Sequence, residues 1–207
     1  TAPVRWAFTP GPNPHGVLKE GDTPSWLYFL RNGLGDPAQP SWGGWGGRFA
    51  AESGTWFRDA HDRVGEVSDA RATVWRWRPA YQNAFQARMD WCVAAADSAN
   101  HCPVAVVNGD ATGEPLRVAT EPGQEVQLDA SGAHDPDGDR LSFRWWQYPE
   151  AGTCRAEVTV NGEREPIAVV GVPDRASGSI HVILEVTDDG TPPLTAYRRV
   201  VIDTGRN

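Results

Sequence analysis

The sequence is poor in the features that mark several common classes of protein. It has three cysteines in 207 residues, with no CxxC pair and no Cys/His spacing typical of zinc sites. It has no apolar run of membrane-spanning length, no visible signal peptide and no cluster of Lys and Arg. With a net charge of -8, we expect neither nucleic-acid nor membrane binding. The chain begins at Thr1 without methionine, which suggests a processed or truncated piece.

The cysteines leave the redox state open. Cys92 and Cys102 could form a disulfide that closes a short loop, and Cys154 would then stay free. An odd number of cysteines, without a compartment signal, is equally compatible with three free thiols.

Tryptophan is abundant, with ten residues against one methionine. Because a buried indole N–H needs a partner, this number indicates aromatic surfaces that pack or that stack on a ligand. Trp42, Trp45 and Arg48 lie in the Gly-rich stretch SWGGWGGRF, where a ligand can approach closely. Indoles stack on the C–H faces of sugars and arginine binds hydroxyls, so we predict sugar contact here. The alternative is that both indoles fill a protein core.

Residues 1–103 have the pattern of helices and loops. The first predicted helix runs from Pro24 to Arg31, after the N-cap Thr23, and the second runs from Pro79 to Asp97. The first helix is expected to be buried, because it has little polar face. In the second, one stripe is apolar: Tyr81, Phe85, Met89, Cys92 and Ala96. Two helices and long loops make a poor independent core, so this part is interpreted as the end of a larger α/β domain.

Residues 104–207 have a different pattern, with short alternating runs separated by turn signals. This spacing predicts a β-sandwich of immunoglobulin type. Trp145 is the candidate core tryptophan, and Trp146 and Tyr148 fall on the opposite face. That face either packs against the first part of the chain or forms a surface that stacks on polysaccharide.

The loop SGAHDPDGDR contains three alternating acids, Asp135, Asp137 and Asp139, as calcium loops do. Turn chemistry is the stronger interpretation, because Asp-Pro-Asp-Gly caps its own backbone and no Glu occupies the closing position.

Long strings of the sequence resemble a family of secreted bacterial cellulose-binding proteins. The strings are EGDTPSWLYFLRNGLGDP, SWGGWGGRF, YQNAFQARMDW and a final stretch that includes LDASGAHDPDGDRLSFRWWQYPEAGT and IHVILEVTDDGTPPLTAYRRVVI. The family has a nucleoside-hydrolase-like domain followed by an immunoglobulin-like domain. The resemblance implies an α+β composite fold, in which residues 1–103 end the hydrolase-like domain, mostly as helix and loop, and residues 104–207 form the sandwich.

The resemblance also implies candidate site residues. Nucleoside hydrolases hold calcium with an early acidic cluster and one late Asp, and the ion activates a water. Asp22 is the candidate late ligand, although it could simply complement a helix dipole. His15 and Glu20 are the candidate catalytic residues, in contact with a sugar or a leaving group. Because the early acids are missing, calcium is possible in the complete protein, and the isolated chain is expected to be inactive and to hold no ion.

Two functions therefore stay open. The first is the C-terminal portion of a secreted or periplasmic glycosyl hydrolase, completed by the missing N-terminal half of the hydrolase-like domain. The second is a non-catalytic protein that binds cellulose or a related polysaccharide through exposed tryptophans, with Trp42, Trp45 and Trp146 as candidates. A sandwich that serves as a spacer is a third reading, because the fold alone does not choose among functions.

Overall fold

The computed structural model describes residues 23–205, and this part of the chain is mostly strand with few helices. The helices are α1 (Thr23–Tyr28), α2 (Ala72–Trp75) and α3 (Arg78–Trp91). The first four strands are β1 (Phe49–Ser53), β2 (Trp56–Asp59), β3 (Asp62–Val64) and β4 (Val67–Asp69). The remaining strands are β5 (Leu116–Ala119), β6 (Glu125–Asp129), β7 (Ser142–Gln147), β8 (Thr159–Asn161), β9 (Ile167–Gly171), β10 (Ser179–Thr187) and β11 (Thr195–Asp203). No helix between residues 23 and 205 is both long enough and apolar enough to cross a bilayer.

Strands β5 to β11 form two sheets that pack face to face. The four-stranded sheet has the order β5-β11-β10-β7, and the three-stranded sheet has the order β6-β9-β8. Their inner faces share one apolar core that includes Leu128, Trp145, Val170 and Leu184. Trp145 is buried there, as predicted from its position in the alternating run. Its indole N–H donates to the Glu165 carbonyl, which satisfies the buried donor.

The outer face of the four-stranded sheet is covered by residues from the first part of the chain. A second apolar cluster lies there, in which Leu34 and Trp77 of the first part pack with Tyr148, Ile183 and Tyr197 of the sandwich. Of the two expectations for the face that carries Trp146 and Tyr148, packing against the first part is therefore the one that the structure shows. The boundary between residues 103 and 104 stays a prediction.

Backbone hydrogen bonds join the two parts along β11. The parallel partner β5 pairs only with Val200–Asp203, so the first half of β11 has a free edge. Tyr197 donates its N–H to the Asn32 carbonyl at 3.3 Å, and Arg199 donates to the Gly33 carbonyl at 2.9 Å. Gly33 has φ +85°, and a Cβ there would collide with the Tyr197 carbonyl, so glycine is required at this junction.

The predictions for the first helix need correction. Helix α1 ends at Tyr28, three residues earlier than expected. Leu27 is buried, but Trp26 is 57% exposed and Phe29 is 67% exposed in this chain. A helix of six residues covers only a narrow strip of protein surface, so an apolar residue on the opposite side stays open.

The second predicted helix also differs from the structure. Helix α3 ends at Trp91, and Phe85 and Met89 of the expected apolar stripe are exposed. Of the expected stripe, Tyr81 packs against the second cluster as predicted, and Ala80 and Ala84 pack beside it. Small side chains on this face allow the helix backbone to approach the cluster closely. The three cysteines, including Cys92 and Cys102, are free thiols in this structure.

Two β-hairpins, β1–β2 and β3–β4, lie where the sequence predicted loop. Their turns contain Gly54 and Gly65, both with positive φ. All four residues of β2 are exposed, so the usual alternation of polar and apolar residues gives no signal there.

Candidate functional site

The candidate residues from the sequence fall into two groups. His15, Glu20 and Asp22 lie outside the described residues. The others, Trp42, Trp45, Arg48 and Trp146, are found where the first part of the chain covers the four-stranded sheet.

Trp45 is part of the packing between the two parts of the chain. It is 6% exposed and lies edge-on to Tyr81 and Tyr197, with ring centroids about 6 Å apart. An indole with no free face cannot stack on a sugar, so this burial favours the core alternative for Trp45.

Trp146 is partly buried and lies between two guanidinium groups. Arg76 is 5.1 Å and Arg144 is 5.6 Å from its ring centroid, and its N–H donates to Glu185. The indole borders a cavity of about 470 Å³ near Arg155 and Glu157. Trp146 therefore contacts two charged side chains and also borders a cavity.

Arg48 belongs to a buried charge network around Asp62. Its Nε donates to Asp62 Oδ1 at 2.7 Å, and Arg76 Nη1 donates to Asp62 Oδ2 at 2.7 Å. The Tyr148 hydroxyl donates to the same carboxylate. Burial, followed by the Asp62 charge, raises the pKa of Tyr148 above its ordinary range, so the phenol keeps its proton. This geometry gives Arg48 a structural partner.

Trp42 lines a cavity of about 460 Å³, which we call the Trp42 cavity. Polar side chains reach it from β5, β10 and β11 and from the loop between β7 and β8. Its lining includes Trp42, Arg117, Thr153, Ser179, His181 and Asp203. Ligand pockets commonly enclose about 300–1,000 Å³, so a small oligosaccharide segment is of suitable size.

The indole of Trp42 is close to one imidazole ring and to the guanidinium groups of Arg117 and Arg199. Trp42 is 8% exposed and meets the His181 ring edge-on, with centroids 5.1 Å apart. The Arg117 guanidinium carbon is 5.1 Å from the indole centroid. Arg117 Nη1 also forms an ion pair with Asp203 at 3.4 Å, and both side chains are substantially open to solvent. A ligand could therefore exchange with Arg117 over the indole without breaking a buried contact.

His181 is held in one protonation state by its neighbours. Arg199 Nη1 donates to His181 Nδ1 at 2.9 Å. Burial, and then the charges of Arg199 and Arg117, lower the pKa of His181 to about 3. The ring is therefore neutral at pH 7, and because Nδ1 accepts a hydrogen bond, the proton is on Nε2. Nε2 is buried and has no partner among the described residues, so it is a spare donor in the cavity wall.

Arg199 fixes both His181 and the loop that carries Trp42. This fully buried guanidinium donates to the carbonyls of Leu34, Trp42 and Gly43. Burial lowers the pKa of Arg199 to about 10, which still leaves it charged at neutral pH. The position of the Trp42 indole therefore depends on a side chain of β11 as well as on the loop.

The cavity combines hydrogen-bond donors, acceptors and one indole. Arg117 offers donors, Asp203 offers an acceptor, and the hydroxyls of Thr153 and Ser179 do both. This set suits a neutral, polyhydroxylated ligand. Among the described lining residues Asp203 is the one carboxylate, whereas glycosidases use a carboxylate pair.

Two segments of the chain match family models. Residues 125–204 match the C-terminal domain of the cellulose-binding protein Sde0182. Residues 13–49 match the nucleoside hydrolase-like domain of cellulose-binding Sde182. The chain belongs to the Sde0182 family. The resemblance stated from the sequence is thereby confirmed.

A solved structure is similar to most of the chain. It is that of a nucleoside hydrolase-related hypothetical protein from Saccharophagus degradans that is associated with carbohydrate metabolism. The identity is 39% and the TM-score is 0.77, over 89% of this chain and 47% of that chain. This chain therefore spans about half the length of the Saccharophagus protein.

Two further structures have low similarity. The PKD domain from KIAA 1837 protein has 17% identity and a TM-score of 0.32, over 43% of this chain and 79% of that chain. PapD-like domain 7 of human CEP192 has 10% identity and a TM-score of 0.33, over 50% of this chain and 87% of that chain. Neither carries an argument about function, and the comparison with curated proteins gave no match.

The Trp42 cavity draws on both segments that match the Sde0182 family. Trp42 lies in the matched range 13–49, and Ser179, His181 and Asp203 lie in the range 125–204. Trp42 was predicted from the sequence as a candidate, whereas none of the residues opposite it was. The one available signal was His181 in the middle of an apolar strand, on the same face as Ile183. That pattern shows which face carries the ring but not what covers it.

Proposed function

We propose that this chain binds a polysaccharide, cellulose or a related glycan, in the Trp42 cavity. The observation that carries the proposal is the indole of Trp42 beside the guanidinium of Arg117, in a cavity lined by hydroxyls and one carboxylate. The Sde0182 family is described as cellulose-binding, and the similar Saccharophagus protein is associated with carbohydrate metabolism. In this proposal the glycan contacts one partly enclosed tryptophan, whereas the sequence had suggested binding through three exposed tryptophans.

The chemistry of the cavity suits glucose units that carry no charge. Hydroxyls of the sugar can accept from Arg117, and they can donate to Asp203. A pyranose C–H face can lie on the indole when Arg117 moves aside. We further propose an immunoglobulin-like type for the sandwich of residues 104–207, and a secreted or periplasmic location, since polysaccharides of this kind are found outside cells.

The test compares two arginines that both form exposed ion pairs. Arg117→Ala is expected to weaken binding of cellohexaose about tenfold or more, because a hydrogen bond to a charged donor contributes about 1.5–3 kcal/mol. Arg31→Ala removes the ion pair of Arg31 with Glu114, neither of which lines the cavity, and should leave the affinity unchanged. Isothermal titration calorimetry with cellohexaose, and retention on insoluble cellulose, measure the effect.

A conservative change of the indole completes the test. Trp42→Phe keeps an aromatic ring but shortens the stacking surface, so we expect it also to reduce retention on cellulose. Equal affinities for the wild type, Arg117→Ala and Trp42→Phe would exclude this cavity. Absence of any wild-type binding would exclude glycan binding by this chain.

A second candidate function rests on the match of residues 13–49 to a nucleoside hydrolase-like domain. In a complete protein, we propose that Asp22 supplies one calcium ligand, and that His15 and Glu20 contact a sugar or its leaving group. The test uses the longer parent protein and a nitrophenyl riboside. Asp22→Asn should abolish hydrolysis that depends on calcium, whereas Asp36→Asn in the same matched range should not. A parent that hydrolyses nothing, or an Asp22→Asn variant with full activity, would contradict a catalytic role.

A further inference from the structure

A group of carboxylates lies beside the C-terminal end of β10, whereas the Trp42 cavity lies beside its N-terminal end. The carboxylate oxygens of Asp135, Asp137 and Asp139 approach within 4.8 Å of one another. Part of this arrangement is ordinary turn chemistry, because Asp135 Oδ1 accepts the backbone N–H groups of Asp137 and Asp139. The three acids of the loop by themselves therefore do not define a site.

Asp188, at the end of β10, supplies an independent observation. It is 3% exposed, and its Oδ1 accepts the N–H groups of Gly190 and Leu194. Its Oδ2 is buried and has no hydrogen-bond partner among the described residues. An ionised carboxylate oxygen that is removed from water and left without a donor is unfavourable, so it calls for a positive partner.

Residues 100 and 101 hold Asp188 and the acidic loop together. Asn100 Nδ2 donates to Asp188 Oδ1 at 3.2 Å, and the His101 N–H donates to Asp137 Oδ2 at 2.6 Å. Asp189, next to Asp188, accepts from Arg140, next to Asp139. These contacts place the loop before β7 beside the loop after β10.

Three buried oxygens in this region have no donor among the described residues: Asn100 Oδ1, Asp135 Oδ2 and Asp188 Oδ2. All three are acceptors, and they come from three separate segments of the chain. One buried oxygen without a donor would not by itself indicate a bound ion. Three such oxygens beside a further carboxylate match the donor set of a hard cation, which binds only through oxygen.

The charges in this region are unbalanced. Two basic side chains are paired here: Arg140 binds Asp189, and the His101 ring contacts Asp137. Asp139 thus carries a carboxylate that the described ion pairs do not neutralise.

We propose that Asn100, Asp135, Asp139 and Asp188 bind a calcium ion at this end of the sandwich. Calcium accepts six to eight oxygens at about 2.3–2.6 Å, so ligands on opposite sides of the ion are up to about 5 Å apart. The spacing of the loop carboxylates is compatible with that value. Magnesium fits less well, because it demands a near-ideal octahedron at shorter distances. This site is separate from the proposed glycan cavity and does not rest on it.

The ion would tie the segment after α3 to the sandwich. Asn100 and His101 follow α3, while the acids belong to the loops that flank β7 and β10. A calcium ion between them would therefore stabilise the contact of helix α3 with the sheets. It also gives Asp135 and Asp139 a role beyond the turn that the sequence favoured.

The test uses the full chain after treatment with chelator. Calcium chloride is titrated by calorimetry, with a dissociation constant expected at or below about 1 mM. At ten times that concentration the melting temperature should rise by about 3–5 °C. Asp139→Asn should weaken calcium binding at least tenfold. Without calcium, the same substitution should not lower the melting temperature, because no described hydrogen bond ends on this carboxylate.

Two matched substitutions locate the ion. Asp174→Asn lies beyond the opposite end of β10 and should bind calcium like the wild type. Asp22→Asn removes the candidate ligand of the hydrolase-like segment and should also leave this binding unchanged. The proposal is overturned if the wild type gives neither heat nor a thermal shift with calcium, if Asp139→Asn binds as tightly as the wild type, or if Asp22→Asn alone abolishes binding. Equal affinity for magnesium would overturn the assignment to calcium.

Discussion

Replacing Asp62 with asparagine is expected to lower the free energy of unfolding by about 3–5 kcal/mol. Asp62 has no exposed surface, and its two oxygens receive Arg48 Nε and Arg76 Nη1, each at 2.7 Å. The substitution keeps the shape of the side chain but removes its charge. Two largely buried guanidinium groups then lose their anion, and this uncompensated charge is the main source of the effect.

The neighbouring groups cannot replace the negative charge that Asp62 supplies. An asparagine offers one acceptor oxygen in place of two, and its NH₂ group would face a donor. Glu150 is the nearest replacement anion, but it is 3.8 Å from Arg76 Nη1 and is only partly buried. The Tyr148 hydroxyl, which now donates to Asp62, would also lose a charged acceptor.

Urea denaturation of the wild type, Asp62→Asn and Asp59→Asn measures this effect. Asp59 is exposed on β2, so its substitution should change the free energy of unfolding by less than about 0.5 kcal/mol. Because the Asp62 network is buried, the difference should persist at high salt. A loss below about 1 kcal/mol for Asp62→Asn would contradict the buried charge network around Asp62.

Acidification from pH 7 to pH 4 is expected to reduce stability through His181 by about 3 kcal/mol. The pKa of His181 is lowered from 6.5 to about 3 in the folded chain. Between these values the unfolded chain binds a proton on this ring and the folded chain does not, so stability falls as the pH falls. The contribution is complete above pH 6.5 and is lost progressively toward pH 3.

The groups around His181 explain why protonation is resisted. Burial is the largest cause, followed by the charges of Arg199 and Arg117. Arg199 already donates to Nδ1, so a proton on that nitrogen would bring two donors together. Asp203 lines the same cavity, but its carboxylate is paired with Arg117.

A substitution that cannot titrate isolates this contribution from that of the carboxylates. His181→Asn places an amide oxygen near the position of Nδ1, where it can still accept from Arg199. The variant should show a flatter loss of stability between pH 6.5 and pH 4 than the wild type, in urea denaturation at each pH. Parallel curves for the two proteins would show that His181 does not titrate with a lowered pKa.

The sandwich could be predicted from the sequence because apolar and polar residues alternate along the strands of both sheets. In β10, Ile180, Val182 and Leu184 alternate with His181 and Ile183, and the structure places the first three in the inner core. Trp145 follows the same rule. The hairpins β1–β2 and β3–β4 could not be predicted, because exposed strands carry no such alternation.

The tryptophans show the limit of this kind of reading. Trp42 and Trp45 are three residues apart in one Gly-rich loop, and the same two roles, sugar contact and core packing, were predicted for both. Arg199 of β11 binds the carbonyl of Trp42, while Tyr197 of the same strand packs on Trp45. One indole thereby borders a cavity and the other fills a core.

The sequence by itself determined the family, the strand pattern of residues 104–207 and the loop of alternating acids. These properties depend on neighbours along the chain, where spacing decides which side chains share a face. Only the tertiary structure decided which indole meets a cavity, which charges are buried around Asp62, and which oxygens beside Asp188 lack a donor. Each of these depends on contacts between segments far apart in sequence, and local periodicity carries no information about them.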